Sequence, residues 1–482
     1  MASRSESLNV DGHPPYRRYH IETTTAPEVA PYPSRFRVRV GRTGLARLLL
    51  REIVHSRLNR RVITSRPCLY GVFSGPIGGF APRPKLCVGC LRCMTEYPEF
   101  VRVSHNPEHR LLGDTYFTPQ FVDAVMYEAQ TGKVPVKGAG YRGRFGGKGW
   151  DGMWTDMSEI VRPTRDGIHG REFISTVVDL GEKKPYLLFD EHRMPIGDSP
   201  RVLSLPLPML FDLLPASLMQ ESLIAVLAES ARALDTMLIL PLSALRELEI
   251  HGPQIIPLVA PEDPPAALDI LEQPQMIEMA PWSEKLHSEI RRRFPGSIAC
   301  LRLTLAAGYE EQLLRCVQAG VRVFHLEADL HGRGENGDFV LELIGRAHQA
   351  LVHAGCRDSI TLIGSGGIVA AEHVPKAIIC GLDLVALDTP LLVALQVAMV
   401  GECVERSTSQ FKVPTFSAEW GVQRLKNLMA SWRDQLLEVL GAMGLREVRR
   451  LRGEMGRAMF QKDLEREAFG GIAGYSDDKE VD

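Results

Sequence analysis

From residue 201 onward, short apolar runs alternate with amphipathic stretches. The runs are VLSLPLPML (202–210), MLILPL (237–242), QIIPLV (254–259), QMIEMAP (275–281), IACLRLTL (298–305), VRVFHLEA (321–328), ITLIGSG (360–366) and LDLVALD (382–388). Between them lie segments of helical period such as SLIAVLAESARAL, EKLHSEIRRRF and DFVLELIGRAHQALVHAG. Eight strand–helix units over roughly 200 residues predict a (β/α)8, TIM-like barrel. Near-continuous hydrophobicity fits parallel strands covered on both faces. Upstream, LARLLLREIVHSRL (45–58) has helical spacing, and TPQFVDAVMYEAQTG (118–132) is a helix opened by Thr-Pro and stopped by Gly132. Residues 1 to about 35 are rich in Pro, Ser and Thr and are expected to wrap or dangle. The stretch 61–110 reads as loops, 133–170 as Gly-rich and basic, and 418–465 as amphipathic helices. These divisions give an N-terminal arm and helix (1–60), a cysteine-bearing segment with a Gly-rich linker (61–200), the barrel (201–405) and a C-terminal helical extension (406–482).

Composition narrows the function classes. A formal net charge of −3 over 482 residues gives no sign of a nucleic-acid partner. The most apolar stretch, LVALDTPLLVALQVAMV, is interrupted by Asp388, Pro390 and Gln396, so no membrane insertion is expected. The first twenty residues lack an apolar signal core, and the nine cysteines are clustered only once. A cytoplasmic, reducing location is the expectation.

The cluster is the run KLCVGCLRCMTEYP, with Cys87, Cys90 and Cys93. A C-x2-C-x2-C run followed by a proline matches the first three ligands of a ferredoxin-type iron–sulfur run, C-x2-C-x2-C-x3-C-P. Tyr97 stands in the fourth slot, before Pro98. Cys68, the remaining cysteine in the first half of the chain, is the candidate fourth ligand, the alternative being an ordinary buried thiol. A zinc knuckle is the competing reading of the run. The expected cofactor is a [4Fe-4S] or [3Fe-4S] cluster.

In IGSGGIVAAEHVPKAIICGLDLVALDTP, the seventh strand ends in Ser365-Gly366-Gly367 and the eighth in Asp388-Thr389. The loops after strands seven and eight are where such barrels bind phosphate, on backbone amides at a helix start. A glycine pair that only makes a tight turn is the plainer alternative. Two G-x-G-x-x-G strings, at 138–143 and 332–337, lack the context of a dinucleotide fingerprint. The stretch 150–171 gathers Trp150, Trp154, Arg162, Arg165, His169 and Arg171, which suits either a cover over a flavin or anion, or a solvated linker. His325, Glu327 and His331 fall at the end of strand six, on the functional rim.

The segment 364–395 resembles the FMN-phosphate end of the glutamate synthase barrel, and 428–453 is similar to the helical segment that follows it in that family. The block 61–180 resembles the N-terminal part of glutamate synthase-related iron–sulfur proteins. The resemblance implies that Ser365, Gly366, Gly367 and Ile368 cradle an FMN phosphate, helped by Asp388 and Thr389, and that Cys87, Cys90 and Cys93 hold the cluster. It implies electron transfer from cluster to FMN and on to an imine or carbonyl substrate of the 2-iminoglutarate type, an oxidoreductase acting on CH-NH2 donors. An electron-donor protein or reductase subunit is the implied partner. Several family features are altered: the glycine turn after strand one, the Gln-Gly-Ala-Lys-Pro-Gly run after strand four, the Gly-Gly-Thr-Gly loop after strand six and the strand-five lysine, replaced by Arg302. Arg302 is expected to put a positive charge near the flavin, with Glu327 and His331 as further catalytic candidates. The alternative is a non-catalytic electron-transfer or scaffold subunit with a degenerate barrel.

Overall fold

The computed structural model describes residues 19–55, 68–74, 81–134, 147, 149–155, 174–184, 188–196 and 201–475. Eight parallel strands close a barrel: β1 (Met209–Phe211), β2 (Leu238–Pro241), β3 (Ile255–Val259), β4 (Met276–Met279), β5 (Ile298–Thr304), β6 (Val323–Glu327), β7 (Thr361–Ser365) and β8 (Leu384–Leu387). Strand β8 pairs with β1, Val385 opposite Met209, which closes the ring. Every expected apolar run supplies one strand. The first run divides, however. Pro206 and Pro208 lack ladder donors, so only Met209–Phe211 enters the barrel, while Val202–Leu205 pairs antiparallel with Val178–Gly181. That hairpin is bound to the start of β7, where the Thr361 hydroxyl donates to the Gly181 carbonyl at 2.8 Å. It therefore covers the end of the barrel away from the rim.

The expected helix near 118–132 is present as Pro119–Thr131. Proline occupies its first turn, where no amide partner is lost, and Gly132 ends it at φ +67°. The long helix Ala418–Ala442 lies against it. Buried Trp432 donates to the Glu128 carboxylate at 2.8 Å, and Asn427 donates to the Ala129 carbonyl at 2.9 Å. The N-terminal arm wraps over both helices. Arg424 and Asn427 donate to the carbonyls of Ala26 and Thr24, and Gln396 brackets Ala30.

A second, smaller hydrophobic cluster stands apart from the barrel core: Phe36, Val72, Phe73, Cys87 and Val101. Its frame is an antiparallel ribbon of Phe36–Val40 and Val101–His105. This ribbon crosses the division expected at residue 60 and joins the arm to the cysteine segment in one folded unit. The stretch 61–110 is thus less loop-dominated than its composition suggests. Helix Arg42–His55 leaves the first ribbon strand. The glycine string at 138–143, and Arg162, Arg165, His169 and Arg171, lie outside the described residues.

Candidate functional site

Ladder register decides which strand residues face the barrel interior. Arg302 lies opposite His325, and Glu327 lies opposite Ser365. Side chains alternate along each strand, so Arg302, His325, Glu327 and Ser365 share the interior face. Glu278 joins them from β4, two positions below Arg302 in register. The interior at the C-terminal end is therefore charged. Arg302 donates to Glu278 at 2.6 Å, to Glu327 at 2.6 Å and to Asp212, the residue after β1. His325 Nδ1 is 3.0 Å from Glu278. A hairpin beyond β8, Ala398–Val400 with Gln410–Lys412, carries Arg406 in its connection. Arg406 reaches Asp388 at 2.7 Å, Asp212 at 3.0 Å and Glu327 at 3.1 Å.

Burial and pairing set the ionisation of this network. Desolvation favours the neutral acid, yet Arg302, His325 and Arg406 hold the Asp212 carboxyl well below its usual range. Glu278 is likewise lowered, burial being outweighed by Arg302 and His325. Burial works against the charged form of Arg302, but Asp212, Glu278 and Glu327 lift its guanidinium well above its ordinary value. Asp388 behaves differently. Burial pushes it up and Arg406 only partly offsets that.

The bend after β7 is fully buried. Gly366 has φ +90° and Gly367 φ +69°, and a Cβ on Gly366 would stand 2.3 Å from the Asp329 carbonyl. The two glycines are thus required by close approach of the β6 loop, whose Gly332 packs on Gly367. Tyr116 Oη and Trp150 Nε1 both donate to the Gly367 carbonyl, at 2.7 and 2.9 Å. The amides of Gly366, Gly367 and Ile368 find no acceptor among the described residues. Two hydroxyls near them, Ser365 Oγ and Thr389 Oγ1, are buried without a partner. Five orphaned polar groups at the ends of β7 and β8 fit the phosphate end of FMN, because buried polar groups ordinarily find partners. The ring end fits less well. Arg302 is committed to carboxylates and the Asp388 carboxylate closes the end of β8.

His331 faces away from the barrel interior. Its Nε2 lies 2.9 Å from Asp114, its ring stacks on Tyr116, and the other Asp114 oxygen accepts the amides of Tyr116 and Phe117. Residues 114–117 are in this way strapped across the rim. Burial lowers the His331 pKa, but the Asp114 bond and charge more than offset it, and the net effect is a rise. The pair's contribution is therefore complete below about pH 6.5 and is lost as pH rises through the raised value. The protection factor of amides 115–117, exchange corrected for its intrinsic base catalysis, is expected to fall above neutral pH, and His331→Asn to remove that fall. A protection factor that ignores pH in the wild type would contradict the pairing.

The cysteines meet in the smaller unit. Cys68, Cys87, Cys90 and Cys93 line one pocket, walled by Val38, Val72, Phe73 and Val103. Gly89, at φ +74°, makes the reversal between the thiols, and a Cβ there would enter the Phe36 ring. Tyr97, in the slot of the missing cysteine, packs against this unit's core and lies 5.3 Å from the Phe100 ring. Burial pushes Cys93 up to about 11, with Cys87, Cys68 and Cys90 adding to the rise. Four thiols on one pocket make a soft donor set of the kind that holds an iron–sulfur core or a zinc ion.

The structure thus brings together the four expected cysteines, and separately Arg302, Glu327, Ser365 and Asp388. Two expectations are corrected. Arg302 is no free cation facing a ligand, since it is sealed among three carboxylates. His331 is a rim lock, not part of the interior group. Glycines 332 and 337 of the second G-x-G-x-x-G string shape the β6 loop, which bends back on itself at Arg333 and Phe339. Asp212, Glu278 and Arg406 escaped the sequence reading. A carboxylate inside the apolar strand MIEM was a usable signal for Glu278, whereas Arg406 sits in a stretch without periodicity.

Residues 336–446 match the family described as a conserved region in glutamate synthase. An archaeal glutamate synthase [NADPH] of Methanocaldococcus jannaschii is 32% identical over 133 residues, 25% of this chain and 26% of that protein. An archaeal-type glutamate synthase [NADPH] of Dehalococcoides mccartyi is 22% identical over 441 residues, 77% of this chain and 86% of that one. The aligned part is thus about a quarter of the first relative's length. Among solved structures, a mandelate oxidase mutant with a monooxide FMN adduct gives a TM-score of 0.38 at 17% identity, over 58% of this chain and 87% of that one. No helix among the described residues is long and apolar enough to cross a membrane. The similarity to glutamate synthases is thus concentrated in the last part of the barrel and the helix that follows it.

Proposed function

We propose that this protein is an electron-transfer oxidoreductase in which Cys68, Cys87, Cys90 and Cys93 hold an iron–sulfur cluster. The observation that carries the reading is the meeting on one pocket of four thiols, three from a ferredoxin-like C-x2-C-x2-C run and one from a separate stretch of chain. When bound, the cluster supplies one-electron chemistry.

We further propose that FMN is held by its phosphate on the amides of Gly366, Gly367 and Ile368, with the hydroxyls of Ser365 and Thr389. When bound, the flavin supplies hydride chemistry. The relatives' names as glutamate synthases support a substrate with an imine or carbonyl of the 2-iminoglutarate type. Arg406 has bonding capacity left for a substrate carboxylate, because its Nε is buried without an acceptor among the described residues. The strap at 114–117 and Trp150 cover the bend and exclude water from it.

One observation favours a second reading, a scaffold whose barrel has lost the flavin. The Asp388 carboxylate would lie beside a phosphate, and two neighbouring anions repel. Flavin extraction from anaerobically purified protein separates the readings. About one FMN per chain, retained by the wild type and lost in Gly367→Asp, supports the enzyme. A broad cluster absorption without flavin supports the scaffold.

A further inference from the structure

The ribbon of Val178–Gly181 and Val202–Leu205 carries a second hairpin in its connection. Phe189 and Pro195 form an antiparallel bridge there. On either side of it the Ile196 amide donates to the Leu188 carbonyl at 2.7 Å, and the Asp190 amide to the Met194 carbonyl at 2.9 Å. Asp190 sets the turn, its carboxylate accepting the amides of His192 and Met194 at 2.9 and 2.8 Å, with Arg193 at φ +63°.

Every residue of this arm, 188–196, is exposed. Cross-strand partners share a face, so Leu188, Met194 and Ile196 lie on one side and Phe189 with Pro195 on the other. Leu188 is 58% exposed, Phe189 56%, Met194 61% and Ile196 54%. A bare two-stranded hairpin is marginal in water, and a group of large exposed apolar side chains marks an interaction surface.

The tip indicates what covers it. The Asp190 carboxylate is spent on the turn, whereas the side chains of Glu191 and Arg193 make no bond among the described residues. One anion thus stands two positions from one guanidinium, with no excess of either sign to select an acidic or a basic partner. A two-fold axis through such a tip sets each Glu191 against the partner's Arg193, which is the self-complementarity an isologous contact requires. The formal net charge of −3 leaves little repulsion between copies.

We propose that this arm is a contact between two copies of the chain, with Leu188, Met194 and Ile196 as its apolar centre and Glu191 paired with Arg193 across a two-fold axis. The ribbon at its base covers the barrel end away from the rim, so the contact leaves the rim open. It is independent of how the cofactor sites are read. A single hairpin presents less than the about 800 Å² per partner of a standard interface, and the association is correspondingly weak.

Sedimentation of the full chain over a range of concentrations, at about 50 mM salt, tests this. The expected result is a monomer–dimer equilibrium with a dissociation constant of about 1–30 µM. Met194→Asp/Ile196→Asp should weaken it about a hundredfold or more. Glu191→Arg should weaken it about tenfold, and Glu191→Arg/Arg193→Glu should restore it to within about threefold, because the swap recreates the pairing in both copies at once. All of these positions are exposed, so an unchanged urea midpoint of the monomeric variants shows that they fold. A wild type that stays monomeric at about 200 µM would overturn the proposal, since the arm would then be covered by another protein or by this chain itself. A dimer unchanged in Met194→Asp/Ile196→Asp would overturn it too, by placing the contact on another surface. Loss of association in Glu191→Arg that the double exchange fails to restore would contradict the two-fold pairing.

Discussion

Arg302→Leu is expected to destabilise the protein by about 3–5 kcal/mol, read as a fall in the urea midpoint. The side chain is sealed inside the barrel, and its guanidinium pairs with Asp212, Glu278 and Glu327 at once. Removing it leaves Glu278 with His325 alone and Asp212 with Arg406 alone. Arg302→Lys should fall between, since a single ammonium cannot span three carboxylates as a fork does. Changing Arg302 and Glu278 together to apolar residues should cost less than Arg302→Leu alone, because the stranded charge leaves with its partner.

The acid limb gives a second reading of the same network. Asp212 and Glu278 have carboxyls held below their ordinary values, so their stabilisation is present above about pH 4 and is lost as pH falls through the lowered values. Arg302→Leu should move the acid unfolding transition to higher pH. A variant within about 0.5 kcal/mol of wild type, with an unmoved acid limb, would show that the network is not formed as described.

The other large effect belongs to the thiols. Cys68→Ser, Cys87→Ser, Cys90→Ser and Cys93→Ser are each expected to cut bound iron about tenfold or more. Cys356→Ser, a half-buried thiol on the barrel, is the matched control and should leave iron unchanged. Cys68 is the informative member, because it lies far outside the run that announces the site. If Cys68→Ser kept its iron while the other three lost theirs, the fourth corner would belong to a different ligand and the cluster would rest on three cysteines. If all four kept it, the pocket would not be a metal centre.

The barrel was legible in the chain because parallel strands buried on both faces are written as uninterrupted apolar runs. Where local chemistry broke the run, as at Pro206 and Pro208, the boundary moved. The helix Pro119–Thr131 was equally legible, since both of its ends are set by residues within it or next to it. The ribbon was not. Its strands are some sixty residues apart, and each is short and half polar. Three cysteines of the pocket were legible by their spacing, and Cys68 was a candidate as the remaining cysteine in the first half of the chain, but only folding brings it to the others. The rim network was largely illegible, because its charges come from five strands and a hairpin connection and no spacing rule links Asp212 to Arg406. Glu327 was found by its strand position and Arg302 as the replacement for the strand-five lysine of the resembled family, but their pairing with each other was not. A charge on a barrel rim reads the same in sequence whether it faces a ligand or another charge.

Iron, acid-labile sulfide and zinc, measured per chain on freshly purified anaerobic protein, test the central claim most directly. The account predicts iron and sulfide in near-equal amounts, about three to four of each per chain, with zinc well below one. One zinc per chain with no sulfide would contradict it.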